Sequence, residues 1–335
     1  MSSKLYGVLL TVFAVAMVLP VCAQDRHELM MAHKARLDSI LTERRNRGNF
    51  DTNYVVRPKE PLTVKARVNV SGYDLYAKGT VKDDYAKADL HTSHTTTVSV
   101  GASYMGLSLS LSLNPAKLFG RKTDYNFNLN YYSPRINVEA TYSQSETLSG
   151  DIKYGDGTQY LEEGMMNMRT LNVAAYYSFN YRRFSYPAAF TQSMIQRHSA
   201  GSWLAGLSYE GGRTRTNTSD YENLPDIRIY MGHIGIGGGY AYNFVLRNKW
   251  LIHLSALPTF VVYNRNNMTI DGVKKKAERI RLNMIFNERL AVVYNFTPRF
   301  FAGVTLVMSN SLFDDSKVTV NQNRWRARGF IGVRF

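Results

Sequence analysis

The chain has 335 residues, 44% of them hydrophobic, a formal net charge of +15 at neutral pH and one cysteine. A single cysteine leaves no room for a disulfide scaffold or a Cys-based zinc site. Such a basic balance would suggest nucleic acid in a cytosolic protein, but no helix-turn-helix or RNP-type motif is present and the first element points to export, so no nucleic-acid partner is expected.

Residues 1–23 read as a signal peptide. Lys4 is the first charge and Asp25 the next, with an apolar run from Leu5 to Leu19 between them. Val21 and Ala23 occupy the −3 and −1 positions that signal peptidase requires, which places the cut after Ala23. The run is short for a spanning helix of about 20 residues. Cleavage removes Cys22, so the exported protein carries no thiol. Residues 24–60 read as a periplasmic helical segment and linker. Leu29, Met30, Leu37, Ile40 and Leu41 form a rough stripe that Gly48 ends, and Pro58 and Pro61 keep 51–61 extended.

From residue 61 to 335 the sequence alternates with period two. In "GLSLSLSLN" (106–114), leucines hold one parity and serines the other. Segments of this kind cover 62–72, 94–104, 106–114, 124–132, 135–143, 169–182, 201–214, 228–245, 249–263, 279–296, 299–312 and 323–335. Links near 105–106, 133–134, 246–248 and 297–298 are short. Those at 73–93, 114–123, 144–168, 215–227, 264–278 and 313–322 are long and polar. The pattern predicts an all-β fold, a transmembrane antiparallel up-and-down β-barrel of about 12 strands, with tight periplasmic turns and long external loops. Closure is required because every backbone group in lipid must be paired. The aromatic excess, 23 Tyr, 16 Phe and 3 Trp, suits the girdles of such a barrel. A soluble β-sandwich would turn its apolar parity inward instead.

If the apolar parity faces lipid, Lys65, Arg67, Arg281, Arg289, Arg324, Arg326, Arg328 and Arg334 point into the lumen, with Glu139 and Glu210 as fewer acids. Reversing the register would put arginines in lipid at about 2–4 kcal/mol each near the midplane. Gly235, Gly237 and Gly239 on the lumen parity suggest a close backbone approach, for which the N-terminal segment and the 183–200 connection are the plug candidates. Glu288 falls on the lipid parity and breaks the pattern.

No GxGxxG, P-loop, HExxH or EF-hand pattern occurs, so neither cofactor nor metal is expected. His253 and Ser255 share one face and are the best pair for acyl chemistry, but no orienting acid or amide can be picked out, so the chain is not read as an enzyme. The leading functional expectation is a narrow anion-favouring channel or binding barrel. A structural or adhesion barrel acting through its loops, and a lipid-modifying enzyme, are the alternatives.

The ending "RWRARGFIGVRF" resembles the terminal signal of outer-membrane barrels, which implies delivery to the barrel-assembly machinery through Phe335. "DTNYVVRPKEPLTVKARVNVSG", "YMGLSLSLSLNP", "NLNYY" and "FSYPAAFTQSMIQRHSAGSWLAG", in that order, resemble a family of Bacteroidota outer-membrane proteins with no assigned function. The resemblance implies a barrel in the outer membrane, in contact with its lipid and lipopolysaccharide, and assigns no residue a role.

Overall fold

A computed structural model describes residues 36, 39, 50–81, 84–104, 107–118, 124–217, 226–270, 272–276, 282–314 and 318–335. Residues 1–49 form a unit of their own, of which Arg36 and Ser39 are described, both helical. The signal peptide with its cut after Ala23, and the rest of the expected 24–50 helix, lie outside the described residues.

Residues 50–335 form the second unit, built on twelve long strands. They are β1 (Leu62–Val81), β2 (Thr95–Tyr104), β3 (Leu107–Leu113), β4 (Tyr125–Tyr132), β5 (Ile136–Ser145) and β6 (Met166–Ser178). They continue with β7 (Ala200–Thr216), β8 (Ile227–Leu246), β9 (Trp250–Asn264), β10 (Leu282–Asn295), β11 (Phe300–Asp314) and β12 (Val318–Arg334). Consecutive strands pair antiparallel from β4 to β12, β12 pairs with β1, and β1 with β2 and β2 with β3. The sheet order sets β3 beside β4, and among the described residues the ladder runs unbroken from β4 through β12 and β1 to β3. Alternation such as "YNFNLNYY" suits a strand with two different faces, and β-branched and aromatic residues suit its pleated surface.

The parity is as the sequence requires. Phe127, Trp203, Val262 and Ile331 are 66%, 69%, 63% and 64% exposed on the outer wall, whereas Glu139, Glu210, Arg289 and Arg334 are buried inside. At the end with short links, Phe179, Trp203, Tyr240, Phe244, Trp250, Phe296, Phe300 and Phe335 are exposed, an aromatic rim. Two of these links have legible chemistry. Arg247 and Asn248 both have positive φ, the left-handed pair of a primed turn closed by the Lys249 amide donating to Leu246 O at 3.1 Å, with Leu246 paired to Trp250. Thr297 Oγ1 accepts from the amides of Arg299 and Phe300.

The other end departs from expectation. Segments read as loops contain strands. β1 runs on to Val81 and returns as Asp84–His91, which continues the sheet through Ser149–Tyr154 and Gly157–Leu161. Asn267–Ile270 and Val273–Lys276 add a hairpin to β8. β6 stops at Ser178, not 182, because the chain leaves the strand in turns at 179–183. Glu288 stays on the outer face, in unbroken register on both sides. Asn310 Nδ2 donates to it at 3.1 Å, so the carboxylate has an amide partner, with Ala256 and Met308 opposite it on the flanking strands.

Candidate functional site: a plugged lumen beneath a polar cup

Residues 183–199 turn into the barrel from its short-link end. Ser185 caps a single helical turn, α1 (Tyr186–Phe190), by accepting from the Ala188 amide, and Pro187 sits in the first turn, where its missing N–H costs nothing. Every residue of α1 is buried. Ile195–Gln196 pairs with Val55–Val56, which ties the linker before the barrel to the same plug.

The plug touches opposite walls. Tyr186 and Phe190 lie against Tyr132 of β4, and Tyr186 against Tyr176 of β6. Lys65 of β1 donates to Thr191 O and, at 2.9 Å, to Gln192 Oε1. Arg334 of β12 donates to Gln192 O at 3.4 Å and to Pro298 O at 2.8 Å. With Leu204, Ala241, Leu251, Leu257, Ala291, Val293, Phe301 and Phe330 the plug forms one apolar cluster. The 183–200 connection, one of the two plug candidates, is thus inside the barrel, and in this half the inward parity itself carries apolar residues that bury it.

On the β8–β9 wall the plug meets a polar chain. Asn243 Nδ2 donates to Ser185 O at 3.0 Å and Gln196 Oε1 at 3.1 Å. Its Oδ1 lies 2.7 Å from His253 Nδ1, and His253 Nε2 lies 3.1 Å from Ser255 Oγ. The amide that sequence reasoning could not find is therefore Asn243, directly across the ladder from His253. Phe184, Tyr186 and Phe190 surround the imidazole. The order hydroxyl–imidazole–amide is that of a hydrolytic triad, but His253 is fully buried and Ser255 nearly so. The arrangement acts as a clamp on the plug.

The glycines of β8 do not receive the plug, as was expected of them. A Cβ on Gly237 would stand 2.0 Å from Pro258 O, and one on Gly239 2.0 Å from Ala256 O. They accommodate the close approach of the β9 backbone at Ala256–Pro258, between the pairs Gly237–Thr259 and Tyr240–Ala256.

Above the plug lies a charged layer. Arg289 of β10 reaches across to Glu139 of β5 with Nε and Nη2, both at 2.9 Å. Tyr132 and Tyr176 donate to the same carboxylate at 2.6 and 3.0 Å. Above this layer opens a cavity with about 90 Å³ of space for water-sized molecules. Its walls carry Asn126, Ser143, Thr170, Asn172, Ser208 and Asn287, with Asp124, Glu210, Arg324 and Arg326 among them. Arg324 stands 3.8 Å from Glu210 and Arg326 donates to Asn128 Oδ1. Arg328 donates to Asn69 Oδ1 at 2.6 Å. Arg67 is half-buried on the same wall. Arg281 lies outside the described residues. No cluster of three metal-ligating side chains occurs among the described residues.

A family model described as a domain of unknown function (DUF4421) matches residues 49–335. The chain belongs to that family. The match bears out the resemblance, read from the sequence, to a family without assigned function. No curated protein matches the sequence. Among solved structures, the outer-membrane protease OmpT of Escherichia coli is similar at 7% identity and TM-score 0.37, over 83% of this chain and 97% of that one. The outer-membrane protein OprG of Pseudomonas aeruginosa is similar at 10% identity and TM-score 0.28, over 82% and 97%. The toluene transporter TodX of P. putida is similar at 8% identity and TM-score 0.26, over 83% and 91%. These scores carry no argument about the role of DUF4421 proteins.

Proposed function

We propose that the protein is an outer-membrane barrel whose external half is an anion-binding cup over a closed floor. The location rests on the exposed apolar wall and aromatic rim described above, a surface suited to hydrocarbon and not to water. The observation that carries the cup is the charge balance of the lumen as a whole. Among the described residues, Lys65, Arg67, Arg289, Arg324, Arg326, Arg328 and Arg334 face inward, against the carboxylates of Asp124, Glu139 and Glu210; of these bases Arg324 and Arg326 line the cavity itself. Enclosed charge needs a counter-charge, and basic linings favour anions.

The cavity has room for roughly six to nine waters, at 10–15 Å³ for each. Its hydroxyl and amide walls suit a small oxyanion such as phosphate or a hydroxy-carboxylate. The plug, anchored on several walls, favours binding over free passage. Titration calorimetry of the refolded barrel with inorganic phosphate tests this, with a neutral sugar as control. Saturable phosphate binding that weakens with salt and is lost in Arg326→Glu is expected. Absence of binding, or steady conductance of the intact protein in a planar bilayer, refutes the closed cup.

A further inference from the structure

The outer wall carries a second basic site, separate from the lumen. On the outward face, Arg169 of β6 lies directly opposite Arg213 of β7, and Arg215 of β7 opposite Arg228 of β8. Like charges facing each other across a ladder are destabilising unless something neutralises them. Arg228 has Asp226 at 2.7 Å. Among the described residues Arg169, Arg213 and Arg265 have no carboxylate partner.

These three arginines rim a groove of about 690 Å³. Its floor is made shallow by Gly211 and Gly232, which pair with each other. Its walls are Leu171, Tyr142, Tyr209 and Tyr230. The Tyr209 hydroxyl lies over Gly211, 2.2 Å from where a Cβ would stand, so a larger residue there would displace the ring.

The height of the groove decides its occupant. Arg169 is ten residues above Phe179, and Arg213 ten above Trp203, both rim aromatics. At about 3.3 Å per residue and a tilt of about 40°, that is about 25 Å, the thickness of the apolar band of such barrels. The arginines therefore stand at the level of the external headgroups, with an apolar trough directly beneath them.

The geometry points to a binding site for a phosphorylated lipid of the external leaflet, its phosphate between Arg169, Arg213 and Arg265 and an acyl chain over Gly211 and Gly232. This rests on the membrane reading above, and the test separates the two. The refolded full chain is mixed with phosphatidylcholine vesicles containing either lipid A or its dephosphorylated form. Flotation reports insertion, and native mass spectrometry after detergent extraction reports retained lipid.

Selective retention of the phosphorylated form is expected. It should weaken about fivefold for each charge removed in Arg169→Gln and Arg213→Gln, the worth of one cation near an anionic lipid surface. Gly211→Leu should weaken retention of both forms. Insertion with equal retention of the two forms, or retention unchanged in the double arginine variant, overturns the site while leaving the barrel reading intact. Failure of the wild-type chain to float with vesicles overturns both.

Discussion

Glu139→Gln tests whether the middle of the lumen is dry. The carboxylate accepts four donors: Arg289 Nε and Nη2 at 2.9 Å each, Tyr132 at 2.6 Å and Tyr176 at 3.0 Å. Arg289 is 2% exposed and Glu139 7%. The amide preserves shape but removes the charge, and it turns an N–H toward donors. Arg289 is then a buried cation without a counter-ion, which costs about 3–5 kcal/mol. With a urea dependence of about 2 kcal/mol per molar, the unfolding midpoint in micelles should fall by about 2 M. Adding Arg289→Met removes the stranded charge, so the double variant should recover much of the loss, with a coupling of at least about 1 kcal/mol in the cycle. A loss below about 1 kcal/mol for Glu139→Gln would mean that water reaches the layer and screens it. The floor of the cup would then be porous, and the reasoning from burial would fail.

Asn243→Ala should cost about 2–3 kcal/mol, because it strands His253 and Gln196, and it should speed deuterium uptake across 184–199 while leaving the barrel strands protected. Gly237→Ala sets a methyl 2.0 Å from a backbone carbonyl and should cost about 3 kcal/mol or more, seen as loss of the heat-resistant folded band on gels. Gly329→Ala, with nothing within 4 Å of its Cβ, should stay within about 0.5 kcal/mol of the parent. Replacing 184–196 by a short Gly-Ser bridge should turn a near-silent protein into a conducting, anion-selective one in planar bilayers. Arg326→Glu with Arg328→Glu should reverse that selectivity.

The barrel was legible because period two is a strong signal when the two faces meet different solvents. All twelve strands lie where alternation puts them, and the inward arginines hold the register. The outer hairpins were not legible. "DYAKADLH" and "GTQYL" are short and mostly polar or small, and each contributes a single leucine, Leu90 and Leu161, to a buried cluster, so little alternation shows. The plug had weak markers, a low-charge stretch with Ser185 and Pro187, and no local pattern says whether such a stretch lies beside a barrel or inside it. Leu251 and Leu257 share the parity of His253, which marked a dry lower lumen in retrospect. Asn243 could not be matched to His253 beforehand, because the pairing depends on the length of the turn between Leu246 and Trp250, and one residue more or less there would move the whole register. Tyr132 showed only as an aromatic at a strand end, with no hint of its hold on Glu139.

β12 zips to β1 along its whole length, and at the seam Leu62 and Phe335 exchange backbone hydrogen bonds of 3.2 and 2.8 Å. The paired residues stand some 240 to 270 positions apart in the chain, among the most distant contacts the fold can make and therefore entropically the last to form. A polypeptide halted before residue 318 would leave the amides and carbonyls of β1 bare toward lipid, a state hydrocarbon does not tolerate. Completion of synthesis thus becomes a condition for entering the bilayer, and truncated products should remain with periplasmic chaperones and proteases.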